Sequence, residues 1–332
     1  MTPQKRATIS DVARKAGVSP TAVSLILNGK GLFPDHTRER VKEAAELLGY
    51  RAHRGAQYLR TGRTHAIGMV IPGSEDPLWS SQWMPVTGRL LVETAEALSK
   101  RGYVLMVIPS GSDDWIRPNE MDALIVSDSR EHDPDLERAL SLGIPVLTND
   151  RLDDPRITVH VDSGYRSMTT EALSLFAKKG RKKPALLTEL TTFITDAAPE
   201  KVWREWCEKH GQEALVAHAR YDRSNLAEAL DSLLDRGANA IFSFAGEGIA
   251  LVDHIRSRGL TVPGDVMVIS AEVGTHPPSI AAGVSTMVFH ADQGAISVPV
   301  LIDILDSGLE APQLVETGWE FVEAESTKAE ST

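Results

Sequence analysis

Two sets of side chains in this sequence could do chemistry on a polyanion. The first set is charged. Twelve lysines and arginines lie among residues 1–63 against five acids, a surplus of seven positive charges. Residues 64–332 hold 23 bases and 41 acids, so the net charge of −11 is split between a small basic head and a large acidic body. Such a split aims the head at phosphate and turns the body toward something else. The second set is small and uncharged: Thr21, Ala22, Ser24 and Leu25, with Lys/Arg residues flanking them. Side chains of that size can press against base edges while the flanking cations reach the nucleic-acid backbone.

Other chemistry finds little support. There is no P-loop, no G-x-G-x-x-G opening a helix, no G-x-S-x-G turn and no His-Glu-x-x-His. The ten histidines are scattered, and His210, His254, His276 and His290 lack ligand-like spacing. Asp113-Asp114 and Asp153-Asp154 sit in turn-rich stretches and read as solvated caps. The single cysteine, Cys207, permits neither an intramolecular disulfide nor a thiolate zinc site, and it fits a reducing compartment. It reads as buried and inert. Residues 178–183 form a basic run joining a helix end to a strand, where cations complement the helix dipole. No enzymatic activity, metal or cofactor is expected. No apolar run approaches the roughly 20 residues of a membrane span. The opening residues lack the apolar core of an export signal, so a cytoplasmic location is expected.

The positioning elements of the head follow from local signals. Thr8-Ile9-Ser10-Asp11 predicts a capping box, with Ile9, Val12, Ala13 and Ala16 at helical spacing and Gly17 as the stop. Ser19 caps a second helix with Pro20 at its first position. Val23, Ile26 and Leu27 form the expected buried stripe, turning Thr21, Ala22, Ser24 and Leu25 outward, and Asn28-Gly29 ends the helix. A third helix from about Asp35 buries Val41, Ala44, Ala45 and Leu48 before Gly49. Two short helices joined by a Gly-containing turn, with a third packed on them, form a helix-turn-helix unit.

Residues 8–72, beginning TISDVARKAGVSPTAVSLILNG, resemble the head, hinge and first strand of LacI/GalR-type transcriptional regulators, almost without gaps. The resemblance continues more weakly along the rest of the chain. It implies a homodimeric regulator, a repressor, whose two heads occupy half-sites of an approximate palindrome in double-stranded DNA. By position it places base reading on Pro20, Thr21 and Leu25, and phosphate contacts on Ser10, Ser19, Ser24, Asn28 and Thr37. Where the family usually carries Thr-Val-Ser-Arg, this chain has Ala22-Val23-Ser24-Leu25. Arginine reads guanine O6/N7, whereas an apolar side chain suits a thymine methyl. The operator should therefore differ from the family's at the base pair facing Leu25.

The segment from Arg51 to Gly62 is too short and polar to be stable alone. In the family the equivalent segment becomes a minor-groove helix whose leucine wedges a base step open. The resemblance assigns that wedge to Leu59, with Ala56 one turn earlier and His53 alongside. Ala52-His53 replaces the family's Pro-Asn, and Gly55 weakens helix propensity by about 1 kcal/mol relative to alanine. The expected division is a helix-turn-helix domain over 1–49, a hinge over 50–64 and a two-lobed effector-binding and dimerisation body over 65–332.

In the body, strand-like runs at 66–71, 103–108, 123–126 and 145–147 alternate with helical stretches at 86–100 and 135–142. A second succession places strands near 157–161, 185–187, 215–217, 240–242 and 266–269. Helices fall near 165–178, 199–209, 224–236 and 248–257. This alternation predicts two doubly wound parallel-sheet α/β lobes with a ligand cleft at the carboxyl ends of the strands. The resemblance gives the same periplasmic-binding-protein-type body behind an all-α head. Glu75-Asp76-Pro77-Leu78-Trp79 follows the first strand, where the family often carries Asn-Pro-Phe-Phe, and Trp83 falls in what reads as a short extra loop. Trp79 and Trp83 fit either a stack on a planar ligand or sugar face, or an ordinary packing pair.

The family's sugar-binding arginine aligns with Pro199, and its Asn-Asp pair with Phe244-Ala245-Gly246. Glu272 replaces its paired aspartates, and Asp162 reads as a helix cap. The effector candidates are therefore Asp76, Trp79, Trp83, Phe244 and Glu272, for a carbohydrate-like or other metabolite. Control by a protein partner, or by no small molecule, is the alternative. The polar tail from Glu320 is expected to be frayed.

Overall fold

Thr8 and Asp11 close a reciprocal capping box at the start of α1 (Ile9–Ala16). The Thr8 backbone N–H donates to Asp11 Oδ2 at 2.9 Å, and the Asp11 N–H to Thr8 Oγ1 at 3.3 Å. Gly17 ends the helix at φ +64°, a left-handed conformation suited to glycine. Helix α2 (Pro20–Leu27) follows, then α3 (Asp35–Leu47). Val12, Ala13, Ala16, Val23, Ile26, Val41, Ala44 and Ala45 form the core of the head, edged by Ile9, Val18, Phe33, Leu48 and Tyr50. Leu27, expected in the buried stripe, is instead exposed. It is the last residue of an eight-residue helix, and the head's core holds only Val23 and Ile26 from α2.

The computed structural model describes residues 7–27, 31–50, 62–73, 83–127, 129–130, 132–149, 151–189, 193–274, 277–290 and 293–328. The chain divides into two units, residues 1–64 and 65–332.

In the body, β1 (Ala66–Ile71) leads to α4 (Trp83–Lys100), β2 (Val104–Pro109), β3 (Ala123–Val126), α5 (Pro134–Ser141), β4 (Val146–Thr148) and β5 (Val159–Asp162). The chain then runs through α6 (Tyr165–Lys178), β6 (Pro184–Glu189), α7 (Ile194–Lys209), β7 (Leu215–Ala219), α8 (Leu226–Asp235) and β8 (Ala240–Ser243). Next come α9 (Gly248–Ser257), β9 (Met267–Val273), α10 (Pro278–Ala281) and β10 (Ser285–Phe289). The last elements are α11 (Gln293–Ser307), β11 (Gln313–Glu316) and β12 (Trp319–Val322).

Two six-stranded sheets result, ordered β11-β5-β4-β3-β1-β2 and β12-β10-β9-β8-β6-β7. All pairings are parallel except β12 on β10. Strands β3, β6, β8 and β10 are buried along their whole length, as parallel strands sandwiched between helices must be. Each sheet carries a core on both faces. In the second lobe Leu187, Leu230 and Leu251 pack one face, and Phe176, Trp203 and Phe242 the other.

The two lobes are not two successive halves. Strand β5, read from the sequence as the start of the second succession, pairs with β4 in the first sheet. The chain returns to the first lobe for α11 and β11, then goes back to the second for β12. It therefore passes between lobes three times, always from the carboxyl end of a strand: after β5, β10 and β11. Trp83 begins α4 and does not lie in a loop.

As far as Lys328, the tail is also ordered beyond the sequence expectation. Ala324, Ser326 and Thr327 are buried, and Ser326 Oγ donates to the Val268 carbonyl at 2.6 Å. The Ser285 hydroxyl lies 2.7 Å from Thr327 Oγ1. Hydroxyls with partners like these are at home in a core, so a polar composition does not imply fraying.

Candidate nucleic-acid interface and effector cleft

Ser19 Oγ accepts the Ala22 backbone N–H at 3.1 Å and so fixes the start of α2. Its own hydroxyl hydrogen remains free to donate to a phosphate oxygen. Val23 and Ile26 anchor the helix inward; Ser19, Pro20 and Thr21 are exposed, and Ala22, Ser24 and Leu25 are half-buried. Ser10 is exposed on the first turn of α1, and half-buried Thr37 lies on the first turn of α3. Asn28, His53, Ala56 and Leu59 fall outside the described residues.

The sequence reading missed the role of Arg38. Its guanidinium donates to the carbonyls of Gly31 at 3.0 Å and Phe33 at 3.2 Å, holding the connection into α3. The signal available was an arginine four residues into a helix that follows a glycine-containing loop.

The carboxyl edges of the two sheets face each other. Arg130, in the loop after β3, makes an isolated antiparallel backbone bridge with Phe193, in the loop after β6. With the three crossings at the same edges, this places a cleft between the lobes. Its hinge is tied by polar contacts: Gln293 Nε2 donates to Ser163 Oγ at 2.8 Å, and the Thr317 N–H to the Asp162 carbonyl at 3.1 Å. Asp162 Oδ1 accepts the Gly164 N–H at 2.8 Å. It therefore shapes the crossing turn, while Gly164 takes the cap position of α6 that the sequence reading gave to Asp162.

The effector candidates divide three ways. Phe244 belongs to an edge-to-face aromatic cluster at the crossings, 5.3 Å from Tyr165 and 5.8 Å from Phe289 between ring centroids. Glu272 is held at the end of β9, where its Oε1 accepts from Ser270 Oγ at 2.8 Å and Ser279 Oγ at 2.5 Å. Asp76 and Trp79 lie outside the described residues, and of Trp83 only the backbone is described. Pro199 is buried within α7 and offers the cleft no charge.

A cluster unforeseen from sequence lies at the same edge of the second sheet. Arg223 joins Glu189, at the end of β6, at 2.5 Å and Glu247, just before α9, at 3.3 Å. It also donates to the Ala245 carbonyl at 2.8 Å and its own loop's Arg220 carbonyl at 3.1 Å. Burial pushes the Glu189 carboxyl above the usual range, against the pull of Arg223. This arginine is committed to holding three loops together. A sequence signal existed only for Glu189, a charge ending a strand whose other residues are uncharged.

A pocket of about 290 Å3 opens at the opposite, amino edge of that sheet, between α9, α10 and the tail, lined in part by Val252, Arg256, Gly283 and Glu325. It is remote from the cleft. Cys207 is buried, and burial pushes its thiol up. The 178–183 run is engaged in tertiary contacts: Arg181 donates to the carbonyls of Pro263 and Gly264, and Lys179 pairs with Glu323 at 2.7 Å. Among the described residues, no three His, Cys, Asp or Glu side chains gather as a metal ion would need. No helix among the described residues is long and apolar enough to cross a membrane.

Residues 8–53 match the family model of bacterial regulatory proteins, lacI family. The chain carries a LacI-family helix-turn-helix head. Beyond the head, the chain is similar to LacI-family regulators along most of its length. It is 26% identical over 287 residues to the HTH-type transcriptional regulator CelR of Thermobifida fusca, covering 82% of this chain and 84% of that one. It is 24% identical over 329 residues to the HTH-type transcriptional regulator AscG of Escherichia coli (strain K12), covering 94% and 96%. Its fold matches a lac repressor dimer bound to operator and an anti-inducer, with a TM-score of 0.75 at 20% identity, covering 98% of this chain and all of that one. A CelR–cellobiose complex matches at TM-score 0.66 and 22% identity, covering 97% and 100%. The two α/β lobes behind the helical head are thus those of a LacI-like, periplasmic-binding-protein-like fold.

Proposed function

We propose that this protein is a cytoplasmic transcriptional repressor that binds an approximately palindromic operator as a homodimer and is controlled by a small-molecule effector. The observation that carries the reading is α2. In a LacI-family head, its capped start exposes Pro20 and Thr21, with Leu25 one turn on. On this reading Pro20, Thr21, Ala22 and Leu25 face base edges, and Ser10, Ser19, Ser24, Asn28 and Thr37 hold phosphates. His53, Ala56 and Leu59 act in the hinge, with Leu59 as the minor-groove wedge. Residues 1–49 serve as the DNA-binding domain, 50–64 as the hinge and 65–332 as the effector-binding and dimerisation body.

The effector reading rests on Glu272. With one oxygen occupied by two serines, its carboxylate is oriented at the cleft edge to accept hydroxyl hydrogen bonds, as a polyhydroxyl ligand offers. Asp76, Trp79, Trp83 and Phe244 complete the proposed contacts. The solved CelR relative is complexed with cellobiose, which supports a carbohydrate-like ligand here. An effector that prefers one arrangement of the lobes changes DNA affinity through linkage, by about 5–150-fold in typical cases.

Buried Pro199, in place of the family's arginine, favours a second reading in which the body answers to a protein partner or to no small molecule. Thermal unfolding against sugars, sugar phosphates, polyols, nucleosides and purines separates the two. A saturable upward shift with one class is expected, since a ligand at 100 times its dissociation constant adds about 2.7 kcal/mol. The same ligand should then change affinity for DNA. A flat panel with ligand-insensitive DNA binding would replace the first reading with the second.

A further inference from the structure

The contact between Arg130 and Phe193 does more than mark the cleft. The guanidinium carbon of Arg130 lies 4.8 Å from the centroid of the Phe193 ring, and the same two residues pair through their backbones. A cation over an aromatic face is attracted by the ring quadrupole, more strongly as water is excluded. Phe193 is 5% exposed, so this ring face is largely dry.

Both partners are held by rigid elements of opposite lobes. Asp133 Oδ1 accepts the Asp135 and Leu136 N–H groups at 3.0 Å, capping α5, while its Oδ2 accepts the Arg130 N–H at 3.3 Å. The Arg130 carbonyl accepts the Asp133 N–H at 3.2 Å in return. Asp133 is itself buried, so the loop carrying Arg130 is fixed to the start of α5. Across the cleft, Phe193 is the N-cap residue of α7 and its carbonyl accepts the Ala197 N–H at 3.2 Å. The contact therefore couples the starts of two helices, one from each lobe, at the carboxyl edges, two strands from β5 in the first sheet and three from β10 in the second.

We propose that Arg130 and Phe193 form a latch that biases the two lobes toward closure through the chain's own groups. A ligand binding the closed arrangement then meets a population already enriched in it, and its apparent affinity rises with that fraction. The proposal rests on the reading of the body as an effector-controlled unit for its regulatory meaning, but the latch itself is a property of the free chain.

The test is the distance between spin labels on Ser141→Cys and Lys209→Cys in the full-length protein without DNA or effector. Both positions are exposed, at the far ends of α5 and α7, and buried Cys207 is shielded from the label. Arg130→Gln removes the cation while keeping a polar, hydrogen-bonding side chain on a shorter stem. Phe193→Leu keeps apolar volume and removes the ring face. Each is expected to raise the longer-distance population by about three- to ten-fold, the scale of one lost cation–π contact. The unfolding midpoint of Arg130→Gln should stay near that of the parent.

A distance distribution unchanged in both variants would overturn the latch. A change in Phe193→Leu alone would also overturn it, leaving ordinary packing in its place. If the latch responds as expected while neither parent nor variants bind DNA, the regulatory reading fails and the latch stands.

Discussion

Replacing Arg223 with methionine is expected to destabilise the body by about 3–5 kcal/mol, the usual cost of leaving one member of a buried ion pair alone. The Arg223 and Glu189 side chains are 14% and 5% exposed, so water cannot re-solvate the orphaned carboxylate without opening the lobe. Two further carbonyl acceptors, Ala245 and Arg220, lose their donor in the same step. The effect should depend on pH in a definite direction. Burial already holds the Glu189 carboxyl above its ordinary range. Between the ordinary and the raised native pKa the fold holds a proton that the unfolded chain releases, so this group stabilises most in acid and less as pH rises through its raised native pKa.

Without Arg223 the opposing pull disappears, and the dependence on pH should steepen. Urea unfolding of Arg223→Met at pH 5 and pH 8 measures this: the deficit should be smaller at pH 5. Adding Glu189→Gln should recover much of the loss by removing the charge. A deficit below 1 kcal/mol and independent of pH would show that the cluster is not a buried clasp.

Gly164→Ala is the second large effect expected, at about 2–6 kcal/mol. Gly164 adopts φ +78°, and a Cβ built there would lie 2.6 Å from Cδ1 and 3.0 Å from Nε1 of Trp319. Left-handed backbone at a non-glycine residue costs about 1–3 kcal/mol, and overpacking typically adds a further 1–3 kcal/mol. The indole cannot simply swing aside, because its Nε1–H donates to Ser167 Oγ at 2.9 Å. Since Gly164 and Trp319 belong to two of the three crossings, any accommodation displaces one connection against another. Chemical denaturation of Gly164→Ala, compared with the Gly164→Ala/Trp319→Leu pair, separates the two contributions. The added cost of the alanine should fall by about half once the indole is gone. An equal cost in both backgrounds would assign the whole effect to the backbone.

Why the head was so legible and the body less so has a physical reason. The head's signals are local: Thr8 with Asp11, Gly17, and Ser19 before Pro20 act within one helical turn. Leu27 was misplaced because helical spacing cannot reveal whether a last-turn residue has something to pack against. In the body, alternating apolar runs announced strands and helices, but lobe membership depends on pairings distant in sequence. Val159 pairs with Leu147 in the first sheet, a fact its own apolar pattern does not contain. The later elements, from β10 to β12, went unread because Ser285, Ser326 and Thr327 satisfy one another only after folding. The Glu189–Arg223–Glu247 clasp draws on three separate loops, so no spacing rule could announce it.

The central claim is that α2 reads base edges, with Leu25 facing a thymine methyl. Selection of bound duplexes from a randomised library, by the full-length protein and by Leu25→Arg in parallel, tests it most directly. The parent should enrich an approximate palindrome, in binding that weakens steeply with salt as counterions are released. Leu25→Arg should change the enriched sequence at one symmetry-related pair of positions, toward guanine, and leave the rest unchanged. No enrichment by the parent, or the same sequence enriched by both proteins, would contradict the account.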